Sequence, residues 1–277
     1  MRALLDDPAL RPRGDLLLAR QALAEGDATL VMMLFGFKRA GLAPRPEAFP
    51  SGDALRTLLE NVGPGGFPEL RDAPPFVREQ LLEPYWLGLD LVLDAWRKGG
   101  WAAVDALWHA PPSSTEQLLH ADRRHDPPMV VTVEPPEDWH TITSMELGEL
   151  GVRAWLASRL GEAAAVAAAE GWGGDRVALI EQPRRPRPGE RRGKYPAMDT
   201  ALCVNTAWDT RPDADRFALA AERWLRLSTS DDDDWRIEQH ANDVGIFLHR
   251  AIVPEEIVDP IGRDPWDRPA STLQEHR

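Results

Sequence analysis

Residues 15 to 40, DLLLARQALAEGDATLVMMLFGFKRA, make one apolar stretch of helical length with two carboxylates, Glu25 and Asp27, in its middle. Taking an ionised carboxylate out of water is costly unless it is paired, hydrogen-bonded or bound to a metal. The pattern therefore predicts a largely buried helix in which Glu-Gly-Asp has a specific partner. Gly14-Asp15 reads as the N-cap, Leu18, Ala22, Thr29 and Met32 share a stripe with Glu25, and Gly41 closes the far end. Gly26 costs about 1 kcal/mol relative to alanine inside a helix, so something is expected to pack or coordinate closely there. An Arg-paired structural carboxylate and a metal ligand both fit this pattern.

The chain has 277 residues, 43% of them apolar, enough for a core in one large domain or two ordinary ones. Its formal net charge of -13 argues against a general nucleic-acid binder, because the only basic cluster is Arg184 to Lys194, which reads as a solvated hairpin loop. A single cysteine, Cys203, excludes an internal disulfide and a Cys-rich zinc site, which leaves His, Asp and Glu as metal ligands. The longest apolar run, Ala28 to Phe37, is well short of the roughly 20 residues that span a bilayer, so no membrane span is expected. Residues 1–14 are charged and proline-broken rather than positive and then apolar, unlike a signal peptide. The compartment stays open.

The first half reads as helical. A short helix over Asp53 to Asn61 and a Gly/Pro loop through NVGPGGFPEL follow the Glu25 helix. A segment from Phe76 to Leu82 is expected to stop at Pro84, which then opens a helix from Tyr85 to Lys98 ended by Gly99-Gly100. Trp101 to Trp108 is another short helix. Ser113 with Glu116, and Thr143 with Glu146, have capping-box spacing; the second is expected to open a long Ala-rich helix to about Glu170, with Gly171 as its C-cap. From Asp175 the period changes. Arg176 to Glu181 and Ala201 to Ala207 read as a hairpin around the basic loop, Asp213 to Leu227 as a helix, and Trp235 to Gln239 with Val244 to His249 as a second hairpin. The fold class is α+β: a helical region over 1–142, a region over 143–253 with a small antiparallel sheet of about four strands and covering helices, and an extended tail over 254–277.

Seven histidines are present and none forms H-x-x-x-H, so no helix shows two imidazoles on one face. Asp231 to Asp234 lacks the alternation and central glycine of a calcium loop, and Gly171-Trp172-Gly173-Gly174 lacks the Lys and Ser/Thr of a phosphate loop. There is no G-x-S-x-G elbow. Cys203, in a predicted strand, reads as inert core.

Six further segments occur in order: Ala22-Leu23-Ala24-Glu25-Gly26-Asp27-Ala28-Thr29, Glu83-Pro84-Tyr85-x-x-Gly88, Gly99-Gly100-Trp101, PPSSTEQLLH from Pro111 to His120, Gly171-Trp172-Gly173-Gly174-Asp175-Arg176, and Trp208-Asp209-Thr210-x-x-Asp213-Ala214. From Met1 to His249 the set resembles a little-characterised group of bacterial and archaeal zinc metallopeptidases of the H-E-x-x-H, gluzincin-like class. Members of that family would carry H-E-x-x-H shortly before the position of Met1, and the 277 residues contain no such motif. In such sites two histidines bind zinc, the intervening Glu is the general base, and a carboxylate on a following helix completes the site. By resemblance Glu25 is that third metal ligand. Asp27 points to another side of the helix and would orient a neighbouring group or pair with an Arg. His120 and Tyr85 are the catalytic candidates, as groups able to stabilise an oxyanion.

The resulting expectation is the C-terminal part of a zinc-metallopeptidase-like protein, with peptide or protein as the substrate class. The 277 residues by themselves are not expected to hold Zn²⁺ or to hydrolyse peptides. Absence of the H-E-x-x-H helix is expected to uncover apolar surface around Leu18, Ala22 and Thr29. The alternative is a non-catalytic module that binds a protein or polymer through a Trp-rich surface, suggested by 11 tryptophans.

Overall fold

A computed structural model describes residues 13–43, 49–60, 73, 75–184, 197–230 and 233–249. The basic loop after Arg184, the Gly/Pro loop after Asn61 and the tail from Pro254 lie outside the described residues. Helix α1 (Gly14–Arg39) leads, followed by α2 (Gly52–Glu60), α3 (Pro75–His109) and a one-turn α4 (Glu116–Leu119). Strand β1 (His140–Met145) then precedes α5 (Gly148–Leu160), α6 (Glu162–Ala169), β2 (Trp172–Pro183) and β3 (Met198–Trp208). Helix α7 (Arg211–Ser228) and the hairpin of β4 (Asp234–His240) and β5 (Asp243–His249) complete the order. The mixed α+β class predicted from the sequence is the fold observed, with helices first and an antiparallel sheet second.

The sheet has five strands in the order β1-β2-β3-β5-β4, every neighbouring pair antiparallel. Alternation along β3 sends Leu202 and Val204 to one face and Ala201 and Cys203 to the other. The first face is covered by Leu156 of α5, Ala169 of α6, and Phe217 and Leu225 of α7, around the fully buried Trp172 and Trp208. Against the second lie Val133 and Trp139, from the irregular segment that passes in front of the sheet. The helical half has its own core, where Leu23 and Leu30 of α1 meet Leu89, Val92 and Leu93 of α3.

Several sequence expectations change, among them the Ser113–Glu116 capping box: Thr115 holds the N-cap position of α4, with no side-chain cap. Residues 140–145 are a strand, paired from His140↔Glu181 to Met145↔Val177, so Thr143 and Glu146 do not form a capping box. Helix α5 starts later, and its first N–H groups are capped from a distance by Asp175 of β2, which accepts from Leu147 N and Gly148 N at 2.8 Å each. The Ala-rich helix is two helices, because Gly161 at φ +83° breaks the run. Pro84 does not stop a helix; it lies inside α3, which is interrupted instead at Gly99 and Gly100.

Candidate functional site

Helix α1 has two different faces. Leu16, Ala19, Leu23, Gly26 and Leu30 are buried, Leu23 and Leu30 in the core shared with α3. Gly26 meets Gly88 of α3 backbone to backbone, and a Cβ on either would collide with the other helix, which accounts for the glycine flagged in the sequence. The opposite face is also apolar. Ala24, Ala28, Val31, Met32 and Phe35, spaced four, three, one and three residues apart, line a groove of about 500 Å³ whose far wall is Trp108. Val31, Met32 and Phe35 are 50%, 66% and 60% exposed.

This corrects two expectations. Leu18 and Ala22, expected to be exposed apolar surface, are buried instead; the exposed apolar residues of the helix, Val31, Met32 and Phe35, lie on a different stripe. Glu25 and Asp27 are half-buried and flank that stripe rather than sitting in the core. Tyr85 of α3 faces Glu25; burial, then the charge and hydrogen bond of Glu25, raise its phenol above the ordinary value. Asp27 accepts from Trp108 Nε1 at 3.1 Å, which fixes one carboxylate oxygen at the groove wall.

His120 lies in a second polar centre, where α4 and the turn after it meet the sheet half. Its Nε2 is 2.9 Å from both oxygens of Glu149, a fully buried carboxylate of α5 that also pairs with Arg153. Beside it, Arg123 joins the buried Glu116 at 2.8 Å to Asp209 at 3.1 Å, tying the 116–123 segment to the turn after β3. Burial, with Glu149 and Asp209 nearby and Arg123 opposing, raises Glu116 to about 7. The structure thus groups Glu25 with Tyr85, sets Asp27 on the groove with Trp108, and engages His120 elsewhere.

A third cluster of buried carboxylates escaped the sequence reading. Asp15, expected as the N-cap of α1, is a buried residue of its first turn that accepts from Thr115 N at 3.0 Å and Thr115 Oγ1 at 2.6 Å; Arg13 holds the cap position. Asp175 accepts a third hydrogen bond from Trp172 Nε1 at 3.1 Å. Burial raises Asp15 to about 7 and Asp175 to about 6.

Among the described residues no group of three or more His, Cys, Asp or Glu side chains is placed to hold a metal ion. Glu25 with Tyr85 therefore does not fit a zinc site by itself. No described helix is long and apolar enough to cross a membrane. The tryptophans pack inward: of those described, only Trp101, 43% exposed, is more than a third exposed.

A family model described as a domain of unknown function (DUF8575) matches residues 137–251. The match takes in all five strands and α5 to α7, and leaves Glu25, Asp27, Tyr85 and His120 outside it. No curated protein and no solved structure matches the chain.

Proposed function

We propose that this chain is the carboxylate-bearing part of a zinc-metallopeptidase-like protein, with Glu25 as the third ligand and the outer face of α1 as the seat of an H-E-x-x-H helix from outside the 277 residues. The observation that carries the proposal is the exposed stripe of Val31, Met32 and Phe35, opposite the face of α1 that packs on α3 and flanked by Glu25 and Asp27. A contiguous exposed apolar stripe on a helix already packed on its other face is the kind of surface a second element covers. Ala24 and Ala28, at the N-terminal end of the stripe beside Glu25, let a second helix approach closely there, and a ligand from it would meet Glu25 at the edge. Under this reading Tyr85 holds the Glu25 carboxylate, Asp27 orients a group on the incoming helix, and the substrate is a peptide or protein. No step of hydrolysis is assigned to the residues described, because they lack the remaining ligands and the base. Calorimetric zinc titration tests it: the chain extended by the residues encoded in frame upstream should bind zinc tightly, and residues 1–277 should not. An extended chain that binds no zinc contradicts the proposal.

Charge placement favours a second reading, a protein-binding module whose partner is another copy of this chain. Acidic Glu25 and Asp27 lie toward one end of the exposed stripe, and Lys38 and Arg39 lie at the other. Two α1 helices crossing antiparallel about Met32 would set Glu25 against Arg39 and Asp27 against Lys38 while burying Val31, Met32 and Phe35. Sedimentation of residues 1–277 separates the readings. A dimer that Met32→Asp dissociates supports the second, and a monomer removes it.

A further inference from the structure

We infer that the contact between α1 and the start of α5 is a proton-controlled clamp, closed when Asp15 is protonated and looser when it is ionised. Asp15 is 2% exposed, and its Oδ1 accepts both the Thr115 amide and the Thr115 hydroxyl. The same hydroxyl oxygen accepts from Leu150 N at 3.2 Å, so a short relay runs from α5 through Thr115 to α1. Gly148, at φ +73°, closes the gap: a Cβ there would collide with the Asp15 carboxyl.

The surrounding charges do not favour an anion at this point. Beta-strand β2 contributes Asp175, and the residue pair ahead of α5 contributes Glu146; both raise Asp15 electrostatically. Nearby cations are spent on Glu146, which is bound by Arg176 at 2.9 Å and approached by Arg13 at 3.8 Å. Glu116 on α4 is held by Arg123, and Glu149 on α5 by Arg153 and His120. Among the described residues no Lys, Arg or His lies within ion-pair distance of Asp15. Burial, opposed by the two Thr115 hydrogen bonds, raises its carboxyl from 3.8 to about 7.

The sign follows from where the proton is held more tightly. The closed state keeps it up to about pH 7, whereas an opened, hydrated Asp15 loses it near its ordinary value of 3.8. Opening therefore releases a proton between these limits, and the opening constant rises about tenfold per pH unit in that window before levelling above it. The clamp is tightest in mild acid and loosest above neutrality.

Hydrogen exchange of the Thr115 and Leu150 amides in the full chain, corrected for intrinsic rates and followed from pH 5 to 8, reads the clamp directly. Protection is expected to fall about tenfold per unit up to pH 7 and then to stay level, while Leu202 and Val204 in β3 do not follow it. Asp15→Asn keeps the acceptor oxygen and removes the titration, so it should abolish the slope. Thr115→Val, which removes one donor to the ionised carboxylate, should move the plateau to higher pH and serves if the first variant does not fold. Protection independent of pH in the wild type, an unchanged slope in Asp15→Asn, or an unmoved plateau in Thr115→Val overturns the inference.

Discussion

Gly26 and Gly88 set how closely α1 and α3 approach, and they give the sharpest residue-scale test. A Cβ on Gly26 would collide with the Gly88 carbonyl group, so Gly26→Ala should lower the unfolding free energy by about 3 kcal/mol or more in urea titrations. Gly36, in the same helix with open space where a Cβ would stand, should behave oppositely, and alanine there should stabilise by about 0.5–1 kcal/mol. Equal effects at the two positions would contradict the observed crossing. Glu149→Gln, which strips the charge that holds Arg153 and His120, should cost about 3 kcal/mol in the same titration. Gly26 was legible because a glycine inside an apolar helix needs a neighbour. Asp15, Asp175, Glu116 and Glu149 were not, since carboxylates in polar-looking stretches give no local sign of burial. Asp15 finds Thr115 at a separation of 100 residues.

At the scale of elements, α1 has two apolar faces, one of which packs on α3. Under the proposed function its exposed stripe is a surface for a second helix rather than a support for the fold. Met32→Asp and Phe35→Asp should therefore leave the unfolding free energy within about 0.5 kcal/mol. Leu23→Ala on the opposite face should cost about 2–5 kcal/mol, and similar costs on both faces would show that the stripe is already covered. The helix itself, the two hairpins of the sheet and α7 were readable from period and turn residues. Strand β1 was not, because Thr143 and Glu146 imitate a helix start while the pairing that makes 140–145 a strand comes from β2. Pro84 misled as well: α3 runs through it, and the residues that follow it, Leu89, Val92 and Leu93, are the ones packed in the core.

For the whole molecule, the helical and sheet halves meet through buried polar groups at the start of α5. Raised carboxyls there make stability depend on pH in an unusual direction. Asp15 and Glu116 at about 7 and Asp175 at about 6 are each bound to a proton more tightly in the folded chain than in the unfolded one. Their contribution is complete below about pH 4 and is lost as pH rises through 6 to 7. The thermal midpoint should fall between pH 5 and pH 8, as followed by circular dichroism. The α+β class was visible from the change of period near Asp175, but the junction was not, because it is assembled from four separate stretches of chain. For function, the central claim is that Glu25 is a metal ligand on a face awaiting its partner helix. Zinc calorimetry on the chain extended upstream, with and without Glu25→Gln, tests this most directly. The account predicts that the substitution weakens zinc binding at least tenfold while the fold survives; unchanged affinity with lowered stability would make Glu25 a structural carboxylate and contradict it.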